Sequence, residues 1–125
     1  MSDQPSSRRR VLVADDNADL GRLLGELIRL DPALEFVGYV QSGAEAIEQA
    51  RHGTADVLVL DLSLRDVSGL QVLERLAAES HAVKVIIHTG HAFEGLERLV
   101  KSKGAAGYVM KDGNPESLLN AIRTA

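Results

Sequence analysis

Five side chains of this 125-residue sequence could do joint chemistry: the adjacent acids Asp15 and Asp16, the single acid Asp61, the hydroxyl of Thr89 and the ammonium of Lys111. Each comes just after a short apolar run. Taken singly they have plain explanations. Acids ahead of a helix cap it and meet its dipole, a threonine can finish a strand, and most lysines lie on the surface. Taken together they are harder to explain by packing. Three carboxylates brought to one place repel one another, and a fold gains no stability from assembling them. A divalent cation removes that objection. Mg²⁺ in particular favours a few carboxylates completed by water and phosphate oxygens.

Whether the five meet depends on the elements that carry them. Apolar, β-branched runs occur at residues 11–14, 36–40, 57–60, 83–87 and 106–110, and three of them (VLVA, VLVL, VKVII) show almost no polar alternation. That pattern suits strands covered on both faces of a parallel sheet. Helical spacing fills the gaps. Leu20, Leu23, Leu24, Leu27 and Ile28 form one stripe that stops at Asp31-Pro32. Ser42 with Glu45 forms a capping-box pattern ahead of Ala46, Ile47 and Ala50, and Gly53 closes that helix. Leu70, Leu73, Leu76 and Ala77 make a third stripe, and Asn114-Pro115 opens a last helix with Leu118, Leu119 and Ile122. Residues 93–103, with an internal glycine and few apolar anchors, make the weakest helix. Strand–helix alternation with short connections predicts an α/β fold, a parallel sheet with helices on both faces. Ligands in such sheets sit beyond the carboxyl ends of the strands. Asp15, Asp16, Asp61, Thr89 and Lys111 all stand there.

Composition narrows the classes. At 45% hydrophobic and 26% charged residues the chain suits one ordinary domain, and a formal charge of −4 offers no basic field for nucleic acid. The absence of cysteine excludes disulfides, thiolate metal sites and thiol catalysis. Residues 1–10 (MSDQPSSRRR) are polar and lack the apolar stretch of a signal peptide. We expect a flexible tail over 1–10, one domain over 11–125, no membrane contact and a cytoplasmic location.

The stretches VLVADDN (11–17), DVLVLDLSLRDVSGL (56–70), KVIIHTG (84–90) and GAAGYVMKD (104–112) resemble, in order and spacing, the four signature blocks of response-regulator receiver domains. In style the chain is closest to receivers of the subfamily whose members often carry helix-turn-helix output domains. The resemblance implies a flavodoxin-like, doubly wound five-stranded sheet in the order 2-1-3-4-5. It implies that Asp61 is the phosphoacceptor, and that Asp15, Asp16, Asp61 and the backbone carbonyl of Ser63 serve the Mg²⁺ ion, Asp15 mainly through water. Lys111 would pair with a phosphoryl oxygen and restrain Asp61 at rest. Thr89 would bind another phosphoryl oxygen, with Tyr108 as the aromatic switch. Implied partners are a histidine kinase or histidine phosphotransferase, an output domain or partner protein, and a second copy on activation.

Several residues depart from that pattern or take a bland reading. Arg65 stands where many relatives have proline. Asp112 follows Lys111 where many have a cis-proline, and a non-proline cis bond costs about 2.5–4 kcal/mol, so trans is expected. Asp66 reads as an exposed loop acid, His88 as a packed strand histidine, and His52 and His81 as loop residues without a role. Ser63 and His91 are candidates to tune the lifetime of an acyl phosphate. Two rival readings are a phosphohydrolase of the haloacid-dehalogenase type and a receiver used as an unphosphorylated scaffold. The first needs its nucleophile within a DxD motif after the first strand, whereas this chain has adjacent acids there. The second has no use for the complete set of five.

Overall fold

Runs of valine, leucine and isoleucine without polar alternation can be satisfied only where both faces of a strand are covered. In the computed structural model, which describes residues 8–79 and 82–125, they form β1 (Arg9–Ala14), β2 (Leu34–Val40), β3 (Val57–Leu60), β4 (Lys84–Thr89) and β5 (Gly107–Met110). The helices between them are α1 (Ala18–Leu30), α2 (Gly43–Arg51), α3 (Gly69–Ala78), α4 (Leu96–Ser102) and α5 (Pro115–Thr124). The strands pair in parallel in the order β2-β1-β3-β4-β5, the doubly wound sheet expected. Alternate residues of the inner strands feed two cores. Leu12, Leu58, Leu60 and Ile87 meet α2, α3 and α4, whereas Val11, Val13, Val57, Val59 and Ile86 meet α1 and α5.

The boundaries differ in instructive ways. β1 begins at Arg9, so the last two residues assigned to the flexible tail belong to the sheet. Arg10 is fixed there by Asp56, whose carboxylate accepts from the guanidinium at 3.0 and 3.2 Å and from the Arg10 N–H at 2.8 Å. The rest of the tail through residue 7, and His81, lie outside the described residues. In the weak helix the glycine is not internal: Gly95 is the left-handed N-cap of α4, and Phe93 stays outside, exposed. Ser42 accepts from the Glu45 N–H at 3.1 Å, but Glu45 turns to Ser42 Oγ and the Gln41 N–H instead of completing the box. The complete capping box is at Ser68 and Gln71, opening α3. There Val72 joins Leu73 and Leu76 in the core and Ala77 faces out. In β2, Phe36 pairs with Val11 and Gly38 with Leu12, leaving Val37 as an extra residue.

α1 departs furthest from its leucine stripe. Its buried residues are Gly21, Leu24, Gly25 and Ile28, while Leu20 and Leu27 are half-buried and Leu23 is 54% exposed. The two glycines explain the rotation. A Cβ on Gly21 would lie 2.2 Å from Cε1 of Tyr39, and one on Gly25 would lie 2.9 Å from the Phe36 ring. With no side chain at either position, the helix backbone settles onto two aromatic rings of β2. The Tyr39 hydroxyl then donates to the Asp15 carbonyl at 2.7 Å. Helix packing and the first acidic loop are thus one assembly.

This cradle sets two effects against each other in Gly21→Ala. Alanine gains about 0.5–1 kcal/mol of helix preference over glycine, but overpacking a filled site costs about 1–3 kcal/mol. Overpacking should win. Urea denaturation should show Gly21→Ala less stable than the wild type, with Tyr39→Ala restoring part of the loss when the two are combined.

Candidate functional site

Asp15, Asp61 and Lys111 are each the first residue beyond a strand, and the sheet ladder still holds their backbones. The N–H of Asp15 donates to Val40 O at 3.1 Å, that of Asp61 to Ala14 O at 3.0 Å and that of Lys111 to Thr89 O at 2.7 Å. Strand ends therefore position the side chains with the precision of the sheet itself. Asp15, Asp61 and Thr89 are buried, and Asp16 is half-buried. Oxygens of Asp15, Asp16 and Asp61 lie within 4.8 Å of one another.

The two buried carboxylates share a division of labour. Oδ1 of Asp15 accepts from the Asn17 N–H at 2.9 Å, and Oδ1 of Asp61 from the Ser63 N–H at 3.1 Å. Each carboxylate thus fixes its own loop with one oxygen. The other oxygen faces Lys111, whose Nζ lies 2.9 Å from Asp15 and 3.3 Å from Asp61. Burial works against the Lys111 charge, but hydrogen bonds to the two aspartates and their charge outweigh it and raise its pKa above the usual lysine value. The ammonium therefore sits between Asp15 and Asp61, slightly nearer to Asp15. Asp16 has no hydrogen-bond or ion-pair partner among the described residues. One cation against three carboxylates leaves the cluster short of positive charge. An all-oxygen donor set of this kind suits a hard divalent cation.

The remaining sequence-derived residues fall around this cluster. Thr89 does not turn to Asp61. Its hydroxyl donates to His91 O and accepts from the His91 N–H, both at 3.1 Å. His91 thus acts through its backbone, with its side chain exposed. Ser63 has an exposed side chain and contributes the N–H already described. Tyr108 is half-buried, and its hydroxyl donates to Met110 Sδ at 3.2 Å. It lines a cavity of about 630 Å³ together with Phe93, Gly95, Arg98 and Lys101. The described residues hold no cis peptide, so the bond before Asp112 is trans as expected.

Two features escaped the sequence. Asp66 is exposed, as expected, but it is no idle loop acid. Its carboxylate accepts from the Gly43 N–H at 2.8 Å and the Ala44 N–H at 3.1 Å, and these backbone bonds hold its pKa below the usual range. It caps α2 from a distant loop. Gly69 opens α3 where a Cβ would lie 2.5 Å from the Asp61 carbonyl, so the loop after Asp61 closes tightly. No sequence signal pairs residues 66 and 43; the Gly69 contact has only the glycine to announce it.

The sequence and the fold both have counterparts among known proteins. The family model described as the response regulator receiver domain matches residues 11–123. Among curated proteins, the chain is 37% identical over 115 residues to the nitrate/nitrite response regulator protein NarP of Escherichia coli (strain K12), covering 91% of this chain and 53% of that one. It is 36% identical over 113 residues to a protein-glutamate methylesterase/protein-glutamine glutaminase of Syntrophomonas wolfei, covering 89% of this chain and 32% of that one. The chain thus spans about half the length of NarP and a third of the methylesterase. Among solved structures, a two-component response regulator of the LuxR family from Aurantimonas sp. SI85-9A1 superposes with a TM-score of 0.87 at 27% identity, over 94% of this chain and 84% of that one. The response regulator domain of Thermotoga maritima CheB gives 0.85 at 26% identity, over 94% and 96%.

The charge arrangement separates two acids that the sequence treats alike. Relief of repulsion alone would make both Asp15→Asn and Asp16→Asn stabilise the metal-free protein. Asp15, however, holds Lys111 and the Asn17 N–H. Thermal melts in chelator should show Asp16→Asn raised by a few degrees and Asp15→Asn lowered. The buried strand histidine supplies a second expectation. Burial, reinforced by the charge of Lys111, pushes the His88 imidazole down to about 4. An unfolded chain binds that proton near 6.5. Stability is therefore lost as pH falls from about 6.5 to about 4, where the unfolded chain takes up a proton that the folded one refuses. Denaturation of wild type and His88→Phe across that window should show the wild type losing more.

Proposed function

Because the chain belongs to the response regulator receiver domain family, we propose that it is a phosphoacceptor switch of two-component signalling, with Asp61 as the acceptor. The observation that carries this reading is the buried Asp61 carboxylate, held by its own loop through Oδ1 and presented to Lys111 through Oδ2. The donor is a histidine kinase or histidine phosphotransferase. An Asp61 carboxylate oxygen attacks phosphorus, the P–N bond of the donor phosphohistidine breaks, and the leaving imidazole keeps the electron pair and takes a proton. The product is an acyl phosphate.

Asp16, Asp61 and the Ser63 carbonyl would hold a Mg²⁺ ion, with Asp15 acting mainly through water, and the ion would supply charge neutralisation for the incoming phosphoryl oxygens. Lys111 gives up part of its contact with Asp61 and takes a phosphoryl oxygen. Thr89 exchanges its bonds with the His91 backbone for another. Freeing Thr89 from its loop is the local event, and Tyr108 moving into the space beside β4 is the packing response. The chain turns over no external product in this reading. The surface of α4, β5 and α5 meets an output domain or partner protein, or a second copy on activation.

Incubation with a small acyl-phosphate donor and Mg²⁺ should add one phosphoryl group by intact mass, and Asp61→Asn should accept none. Equal labelling of wild type and variant would move the acceptor elsewhere. Thr89→Ala should accept the group but leave amide exchange over residues 93–120 unchanged, whereas the wild type changes there. Substituting Ser63 and His91 together should alter the decay of the phosphoprotein without preventing its formation.

A further inference from the structure

The loop after Asp61 carries Ser63, whose carbonyl is an ion ligand in the reading above, yet its middle lacks a common restraint. Arg65 stands where many relatives have proline. A proline would fix its own φ and restrict the residue before it, whereas arginine leaves both free. The ends of the loop are secured, Asp61 by the sheet and Gly69 by donating to the Leu62 carbonyl at 3.1 Å. Between them, among the described residues, Asp66 alone hydrogen-bonds the stretch 64–67 to another element. Its carboxylate accepts from the Gly43 N–H at 2.8 Å and the Ala44 N–H at 3.1 Å. Packing marks the same junction. A Cβ on Gly43 would lie 3.0 Å from Cβ of Val67 and 3.1 Å from the Val67 carbonyl oxygen. The start of α2 therefore rests directly on this loop, beside the Asp66 carboxylate.

We propose that Asp66 is a positioning residue for the metal site: by fastening this loop to the first turn of α2, it holds the Ser63 carbonyl in place for Mg²⁺. The inference rests on the reading of Asp16, Asp61 and Ser63 as ion ligands. A backbone carbonyl has no rotamer to adjust, so φ and ψ of the loop set its direction. A tether three residues away restricts those angles, as a proline at position 65 would. The two caps of α2 let this role be separated from plain helix capping. The first N–H groups of a helix lack intrahelical partners, and here two residues share them. Ser42 accepts from the Glu45 N–H at 3.1 Å, as the local N-cap. Asp66 takes Gly43 and Ala44 from across the loop. Both caps serve α2. Only that of Asp66 also ties down the residues beside Ser63.

The test titrates Mg²⁺ alone against the unphosphorylated protein, followed by amide chemical shifts, and measures amide exchange in chelator. Asp66 is exposed, so truncating it leaves the core intact. Asp66→Ala should raise the Mg²⁺ dissociation constant roughly tenfold, the low end for losing a residue that orients a metal ligand. It should also speed exchange of the Ser63 amide in the metal-free protein. Ser42→Ala, which removes only the local cap, should lower the melting temperature by a few degrees and change neither. Because Asp66→Ala also removes a negative charge, the titrations are repeated in about 1 M salt, where the Debye length falls to about 3 Å. A tether keeps its effect there. Unchanged Mg²⁺ affinity or unchanged Ser63 exchange in Asp66→Ala overturns the proposal, even if that variant melts lower. So does a loss of affinity that vanishes in high salt, or an equal loss in Ser42→Ala. A wild type that binds no Mg²⁺ would sink the ion-site reading and this inference together, whereas equal binding by wild type and Asp66→Ala sinks the inference alone.

Discussion

An ammonium held between two buried carboxylates is the interaction around which the rest of this molecule is arranged. Lys111 reaches both Asp15 and Asp61 because β5, β1 and β3 end at the same edge of the sheet. Shifting any of these strands by one residue would turn its side chain to the opposite face and break the set. The neighbouring acid, Asp16, has no such partner, which is why the cluster remains poised for a further positive charge. Three carboxylates against one ammonium leave repulsion at this edge, and the packed sheet behind the cluster supplies the stability to tolerate it.

Rigidity at that edge comes from contacts made well away from it. Tyr39 reaches from β2 to the Asp15 carbonyl, and its ring sits where Gly21 of α1 has no side chain. Asp66 ties the loop after Asp61 to the N-terminus of α2. Gly69 lets α3 start directly against the Asp61 carbonyl. Each of the two acidic loops is therefore fastened to a helix. The Thr89 loop is different: among the described residues its hydroxyl is held only by the His91 backbone, within the same loop. Fixed acids beside a releasable hydroxyl are the asymmetry a switch requires.

Much of this was legible in the sequence. The apolar runs located five strands to within about two residues, and without error at β3, the strand buried along its whole length. The residues after those runs named the acidic cluster, Thr89 and Lys111. What could not be read depends on distance along the chain. The leucine spacing of α1 was correct as periodicity, and Leu24 and Ile28 are buried as it implies, but the buried stripe is rotated away from Leu23 toward Gly21 and Gly25 by what the two glycines meet on β2. The role of Asp66 as a cap rests on a partner 23 residues away. The hydroxyl of Thr89 engaging its own loop, and Lys111 lying nearer to Asp15 than to Asp61, are matters of side-chain geometry. No spacing encodes them.

The extra residue in β2 bears on how copies of this chain behave at high concentration. β2 is an outer strand, and seven residues are enough to offer an approaching chain a row of unpaired amides and carbonyls. Fibre growth by strand addition needs a regular, flat template. Val37, standing without a counterpart in β1, interrupts the pleat in the middle of that row and increases its twist. The opposite edge, β5, is only four residues long, too short to guide much pairing. Both outer strands thus discourage edge-to-edge pairing through their backbones, independently of the charge on the surface.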